Sequence, residues 1–314
     1  MIESLLSAIA CLFALLVIGF VGGKLKILDE TSTEKLSNLI IKIGQPFLII
    51  NSIISQEYSK ENLKTGLGIL LLGICMHTGM AILAHFFAKP IKDPDHKKIS
   101  EYSMFFANCG FIGFPIIESV YGKQGLFYGA FFILSFHLFV WTYGIMILAR
   151  GRKDIRITPK NIILNYGTVP CMIGFLIFLS QIRLPGFVYT LSGYLAGICT
   201  PISIMISGAN IARRSLKQMF SSRKVYYTAA VKLVLMPLIV ATVTALLRLP
   251  EYMVIFGSVM AAMPSAAVVT MFGEMYKIKP GYAAELVGAS TVFCTLTILP
   301  AVTYAQWLCS VLPR

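Results

Sequence analysis

Long apolar runs separated by short polar segments organise this chain. Ten such runs lie at about 4–23, 36–55, 63–87, 101–121, 126–148, 161–180, 187–211, 224–247, 252–275 and 284–308. Each approaches the ~20 residues that cross a hydrocarbon core. Lipid offers no partner to a backbone N–H or C=O, so runs of this length are read as helices that satisfy themselves. The pattern predicts an all-α polytopic membrane protein with ten transmembrane helices, here called spans 1 to 10. No polar segment between them is long enough to fold as a separate domain.

Two spans are interrupted near their middles. Span 4 contains Phe106-Ala107-Asn108-Cys109-Gly110-Phe111-Ile112-Gly113-Phe114-Pro115, and span 9 contains Met260-Ala261-Ala262-Met263-Pro264-Ser265-Ala266-Ala267. Such breaks must face protein or a watery cavity, and a pair of them, one per half, points to a transporter's binding site. Proline suits the first turn of a helix, so Pro115 and Pro264 are each expected to open a half-helix. The unpaired N–H groups and partial positive charge at those ends favour an anion such as a carboxylate. Asn108 and Ser265 are the expected side-chain donors, and Gly110 and Gly113 permit unusual backbone angles and close helix crossing. Pro46 in span 2 and Pro201 in span 7, with Gln45, Asn51, Ser207 and Asn210 nearby, are expected to line the same cavity.

The prolines also suggest a repeat. Pro46 and Pro115 are 69 residues apart, and Pro201 and Pro264 are 63 apart. Spans 1–5 and 6–10 thus carry prolines in corresponding places. Five is odd, so the second half enters the membrane in the opposite sense: a 5+5 inverted repeat, residues 1–150 and 151–314, with broken helices 4 and 9 crossing at its centre.

Charge fixes the expected orientation. The chain is 57% hydrophobic and only 13% charged, with a net charge of +13. The basic excess is not read as nucleic-acid binding, because it is sided. The polar segments after spans 1, 3, 5, 7 and 9 hold 19 Lys and Arg, and the other segments and the termini hold 6. The rule of positive charge inside places the former in the cytoplasm and both termini outside the cell membrane. The densest stretches, Arg150–Lys160 and Arg213–Lys224, are read as topology signals that contact lipid headgroups. The first run has Glu3 before it and Lys24 and Lys26 after it, the wrong polarity for a secretory signal peptide, so it is expected to be retained.

Few residues in the spans can carry chemistry. Lys42 and Lys232 lie inside spans, where charge is costly and usually functional; either attracts an anion or replaces a coupling cation, although both are near enough to the cytoplasmic ends of their spans to snorkel. Glu118, three residues after Pro115, binds a cation, relays a proton or stabilises its helix N-terminus. His137 is a candidate proton relay. His77 and His85 are read as packed or hydrogen-bonded histidines and the seven cysteines as buried thiols, with no metal site and no cofactor. There is no Walker loop, no Gly-x-Ser-x-Gly and no His-Glu-x-x-His, and an enzyme is not expected.

The stretch Asn108–Pro115, with Tyr121-Gly122 after it, resembles the fourth helix of the auxin efflux carrier family, which includes bacterial permeases for malate, malonate and similar acids. Further similarity lies in Gln45-Pro46-Phe47-Leu48, Trp141-Thr142-Tyr143-Gly144, Pro201 with Ser207-Gly208-Ala209, Lys232-Leu233 with Pro237, Pro264, Thr295-Leu296 and Leu299-Pro300. The resemblance covers essentially the whole chain. It implies a scaffold of helices 1, 2, 6 and 7, a transport domain of helices 3–5 and 8–10, and elevator-type motion. Two departures matter: Val268 stands where many members have Asn, and the long hydrophilic loop of plant carriers is absent. A compact prokaryotic malate- or malonate-type permease is the closer match.

The sequence reading is therefore a secondary carrier for a small organic anion, with H+ or Na+ as a candidate coupling ion and a second copy of the chain as a candidate partner. A cation-coupled, bile-acid-like symporter and a non-transporting receptor or sensor are the alternatives.

Overall fold

Backbone groups buried in apolar surroundings must be paired within the chain, and nearly every described apolar run is helical. The computed structural model describes residues 2–155, 158–213, 219–220 and 222–312. The helices are α1 (Ile2–Lys24), α2 (Glu30–Ile54), α3 (Lys60–Ala88), α4 (Pro94–Phe105), α5 (Cys109–Ala149), α6 (Pro159–Ile163), α7 (Thr168–Ser180), α8 (Gly186–Ala212), α9 (Arg223–Leu246), α10 (Glu251–Ala262), α11 (Val268–Met275) and α12 (Pro280–Val311). Seven of them, α1, α2, α3, α5, α8, α9 and α12, are long and apolar enough to cross a membrane; α7 and α10 are apolar but shorter. Part of the second basic stretch (214–218 and 221) and Arg156 lie outside the described residues.

Two backbone features shape these elements. At Gly122 the chain turns with φ 60° and ψ −149°, a conformation open in practice only to glycine. It divides α5 into a short arm, 109–121, and a long arm, 123–149. The second feature is a run of π-turns at Ile40–Gly44, Cys109–Gly113, Val140–Gly144 and Val231–Leu235. Three of the four immediately precede a helical stretch with proline in its first turn, at Pro46, Pro115 and Pro237. A proline ring inside a helix displaces the carbonyl four residues back. Widening the preceding turn accommodates it without ending the helix.

The helices pack in two groups that touch where α1 and α2 meet α5 and where α8 meets α12. α1 lies along the C-terminal half of α8, residues 199–212, and α2 packs on α7 and α8. The α1–α8 contact is backbone on backbone: a Cβ added to Gly19 would sit 2.1 Å from the Met205 carbonyl oxygen, and one added to Gly208 would sit 2.1 Å from that of Leu16. Small residues at such spacing let membrane helices approach closely. In the other group, α3 packs on α4 and the long arm of α5, while α9, α10 and α12 pack on one another, with α11 against α12. Its core is aromatic, with Phe105 against Phe106 at 4.3 Å between ring centroids and Tyr102 against Phe106 at 4.4 Å. His77 is buried in this cluster, stacked on Phe139, with its Nδ1 2.7 Å from the Gly73 carbonyl.

Candidate functional site

The two helix breaks meet. α4 stops at Phe105, Phe106 turns to extended backbone, and Asn108 caps the next turn with φ −75° and ψ 63°. α10 stops at Ala262, Met263 is extended, and α11 does not begin until Val268. Residues before proline avoid the helical region, which places the second break at Met263. Between the breaks, Ala107 and Ser265 form an isolated antiparallel bridge. The Asn108 N–H donates to the Pro264 carbonyl at 2.8 Å, and the Ala266 N–H donates to the Phe106 carbonyl at 2.9 Å.

This geometry corrects one expectation. Pro115 does sit in the first turn after a π-turn, but Pro264 does not open a half-helix. It lies within the extended break, four residues before α11, because the carbonyl of residue 264 is used in the bridge to Asn108.

Around the bridge, each helix end is satisfied by side chains from a different element. The Ser265 hydroxyl is 2.5 Å from the Ser103 hydroxyl and donates to the Ser103 carbonyl at 3.1 Å, while the Ser265 N–H donates to Ser290 Oγ at 3.1 Å. The last carbonyls of α10 are held in succession. Met260 accepts from Cys109 Sγ at 4.0 Å, Ala261 from Lys232 Nζ at 3.1 Å, and Ala262 from Cys294 Sγ at 3.5 Å. Asn108 is 8% exposed; its Oδ1 accepts from the Phe111 N–H at 3.3 Å, while its Nδ2 finds no acceptor among the described residues. Ser265 is buried with its hydroxyl fully engaged. Asn108 therefore offers the free amide donor at the crossing.

The other expected residues are dispersed. Gly110 and Gly113 lie in the π-turn after Asn108, and Gly113 faces Met260 and Met263. Gln45 Nε2 lies 3.2 Å from His137 Nε2, joining α2 to the long arm of α5. Asn51 accepts from Ser192 at 2.9 Å, Ser207 donates back to the Ser203 carbonyl, and Asn210 accepts from Arg213. Lys42 and Glu118 are exposed, and neither forms an ion pair among the described residues. A cavity of about 30 Å³ reaches the crossing at Pro264. Ile112, Ile116, Ile204, Thr291 and Cys294 help to line it; Pro46 and Pro201 do not.

One polar cluster had no sequence forecast. Glu101 is fully buried and accepts from both guanidinium nitrogens of Arg150, from the Tyr143 hydroxyl at 2.8 Å and from His85. The signal was a single carboxylate in the first turn of span 4, matched by an arginine at the far end of span 5. Among the described residues, no three His, Cys, Asp or Glu side chains group as metal ligands.

Several apolar helices long enough to span a bilayer, arranged around crossed breaks, define a multi-pass membrane protein of the transporter class. The chain belongs to a family described as "Membrane transport protein", whose profile matches residues 4–163 and 155–301. It is 24% identical over 297 residues to an uncharacterized transporter of Methanocaldococcus jannaschii, covering 90% of this chain and 93% of that one. It is 25% identical over 303 residues to an uncharacterized transporter of Methanothermobacter thermautotrophicus, covering 93% and 94% of the two chains.

Proposed function

We propose that this transporter is a secondary carrier for a small organic anion, most simply a carboxylate, working by elevator-type alternating access. The observation that carries the reading is the crossing. A free amide donor at Asn108 lies beside the N-terminal end of the α5 short arm, and a buried cation, Lys232, lies across the bridge. Helix N-termini and an ammonium both favour negative charge. The cavity of about 30 Å³ is far below the ~300 Å³ of small ligand pockets, so cargo enters only when the helix groups move apart.

Ten spans follow if α4 joins the short arm of α5, the long arm stands alone, α7 is a span, and α10 joins α11. The breaks then fall in the fourth span of each half, 1–150 and 151–314, as an inverted repeat requires. In this reading α1, α2, α7 and α8 are the scaffold, and α3–α5 with α9–α12 carry the site. The sided basic residues support a topology with both termini outside the cell membrane.

Proteoliposomes test the function. Counterflow of a malonate- or malate-like acid is expected, with apparent affinity about tenfold weaker in Asn108→Ala, the loss of one hydrogen bond to a charged group. Ligand-induced thermal stabilisation without any flux would replace the carrier with a receptor.

A further inference from the structure

Lys232 is the one lysine among the largest fully buried side chains. It sits on the π-turn of α9 and reaches the Ala261 carbonyl at 3.1 Å. No Asp or Glu forms an ion pair with it among the described residues. Its counter-charge is therefore the end of α10 itself. The final carbonyls of a helix carry partial negative charge and lack helical partners. Here three in a row, from Met260, Ala261 and Ala262, receive a thiol, an ammonium and a thiol. Broken helices in transporters offer this kind of carbonyl end to mobile cations. In this chain the place is filled by a side chain.

We propose that the Lys232 ammonium is a tethered cation: it permanently occupies the position at the carbonyl end of α10 that a mobile monovalent cation would otherwise fill, so the crossing needs no Na+ to be electrostatically complete. The inference deepens the reading of the crossing as the anion site. A cation tethered by its side chain stays with the site in every conformation, and the anion meets the same field on both faces of the membrane. Lys42 has no comparable role, being exposed on the π-turn of α2.

The test needs no substrate and so stands apart from the transport assay. Thermal unfolding of the purified full chain in detergent is measured in NaCl, LiCl and N-methylglucamine chloride at equal ionic strength. Wild type is expected to show the same Tm in all three. Lys232→Ala opens a space beside the Ala261 carbonyl. It is expected to have a lower Tm that recovers by about 2–5 °C, saturably, with Na+ or Li+ but not with N-methylglucamine. Lys232→Met refills the space without charge and is expected to stay low in every salt. A saturable Na+ rise in wild type overturns the proposal, because a cation site would then exist with the lysine in place. A folded Lys232→Ala with no alkali-cation response overturns it equally. If Lys232→Ala does not fold, Lys232→Ser replaces it with the same expected recovery, and the wild-type comparison retains its power to refute.

Discussion

The serine contact between the two breaks gives the most direct test of the crossing. Ser103 and Ser265 are 0% and 1% exposed, and their hydroxyls lie 2.5 Å apart. The Ser265 hydroxyl also serves the Ser103 carbonyl at 3.1 Å, an acceptor in the last turn of α4, where helical partners run out. Ser265→Ala removes the side-chain partner of both Ser103 oxygens in a buried place. Leaving buried polar atoms without partners costs about 1–3 kcal/mol, which corresponds to a fall in Tm on the order of 2–8 °C. Ser103→Ala removes the same hydroxyl pair from the other side but leaves Ser265 able to reach the Ser103 carbonyl, so its cost is smaller. The double variant therefore loses less than the sum of the two, with a coupling of roughly 1 kcal/mol. Thermal unfolding in detergent, followed by near-UV circular dichroism on all four proteins, measures the cycle. A Ser265→Ala protein within about 0.5 kcal/mol of wild type, or strictly additive costs, would falsify the claim that these hydroxyls lock the crossing.

Other outcomes are expected elsewhere. Glu101→Gln strips the buried carboxylate from Arg150, Tyr143 and His85 and should lower stability by about 1–3 kcal/mol, read as Tm. Gly208→Ala places a methyl against the Leu16 backbone and should cost about 1–3 kcal/mol or force α1 and α8 apart; Gly79→Ala, inside α3 where a Cβ meets open space, should be neutral to slightly stabilising in the same assay. Asp93 caps α4, and hydrogen bonds from the His96 N–H and ring lower its carboxyl from 3.8 to about 2. A depressed carboxyl stabilises the fold above its unfolded value and loses that contribution as pH falls toward 2. Asp93→Asn keeps an acceptor without the titration, so its Tm should fall less steeply below pH 3.8; parallel acid limbs would refute this.

Apolar length made the membrane-spanning helices legible, and proline with glycine marked the breaks in spans 4 and 9. The second break falls at Pro264 as expected, but the helix after it starts four residues later than the proline, at Val268. Proline's preference for helix starts yields at Pro264 to the backbone of the partner break, which determines its conformation. The π-turns were not foreseen, although a proline follows three of them closely, because a widened turn has no hydropathy signature. In sequence Asn108 and Ser265 are both candidate donors, with Asn108 favoured because the surroundings of the second break are less polar. Only the three-dimensional pairing shows that Ser103 occupies Ser265 and leaves the amide of Asn108 unpaired. Glu101 is not legible as an ion-pair partner in the sequence, because Arg150 lies 49 positions away in a segment whose basic residues have an explanation in topology.

The bridge between the breaks also explains which amino acid each position tolerates. The ladder uses the N–H groups of residues 108 and 266 and the carbonyls of 106 and 264. It asks nothing of the nitrogen at 264. Proline is the residue with no amide hydrogen there, and sheet-like backbone accepts proline where no donor is required. Any other residue at 264 would bring an N–H into the interior of the spans with no ladder partner waiting for it. Across the bridge the demand is reversed: a proline at 108 or 266 would delete a donor the ladder uses. In a saturation-mutagenesis map of this chain, position 264 should select for proline as strictly as positions 108 and 266 select against it.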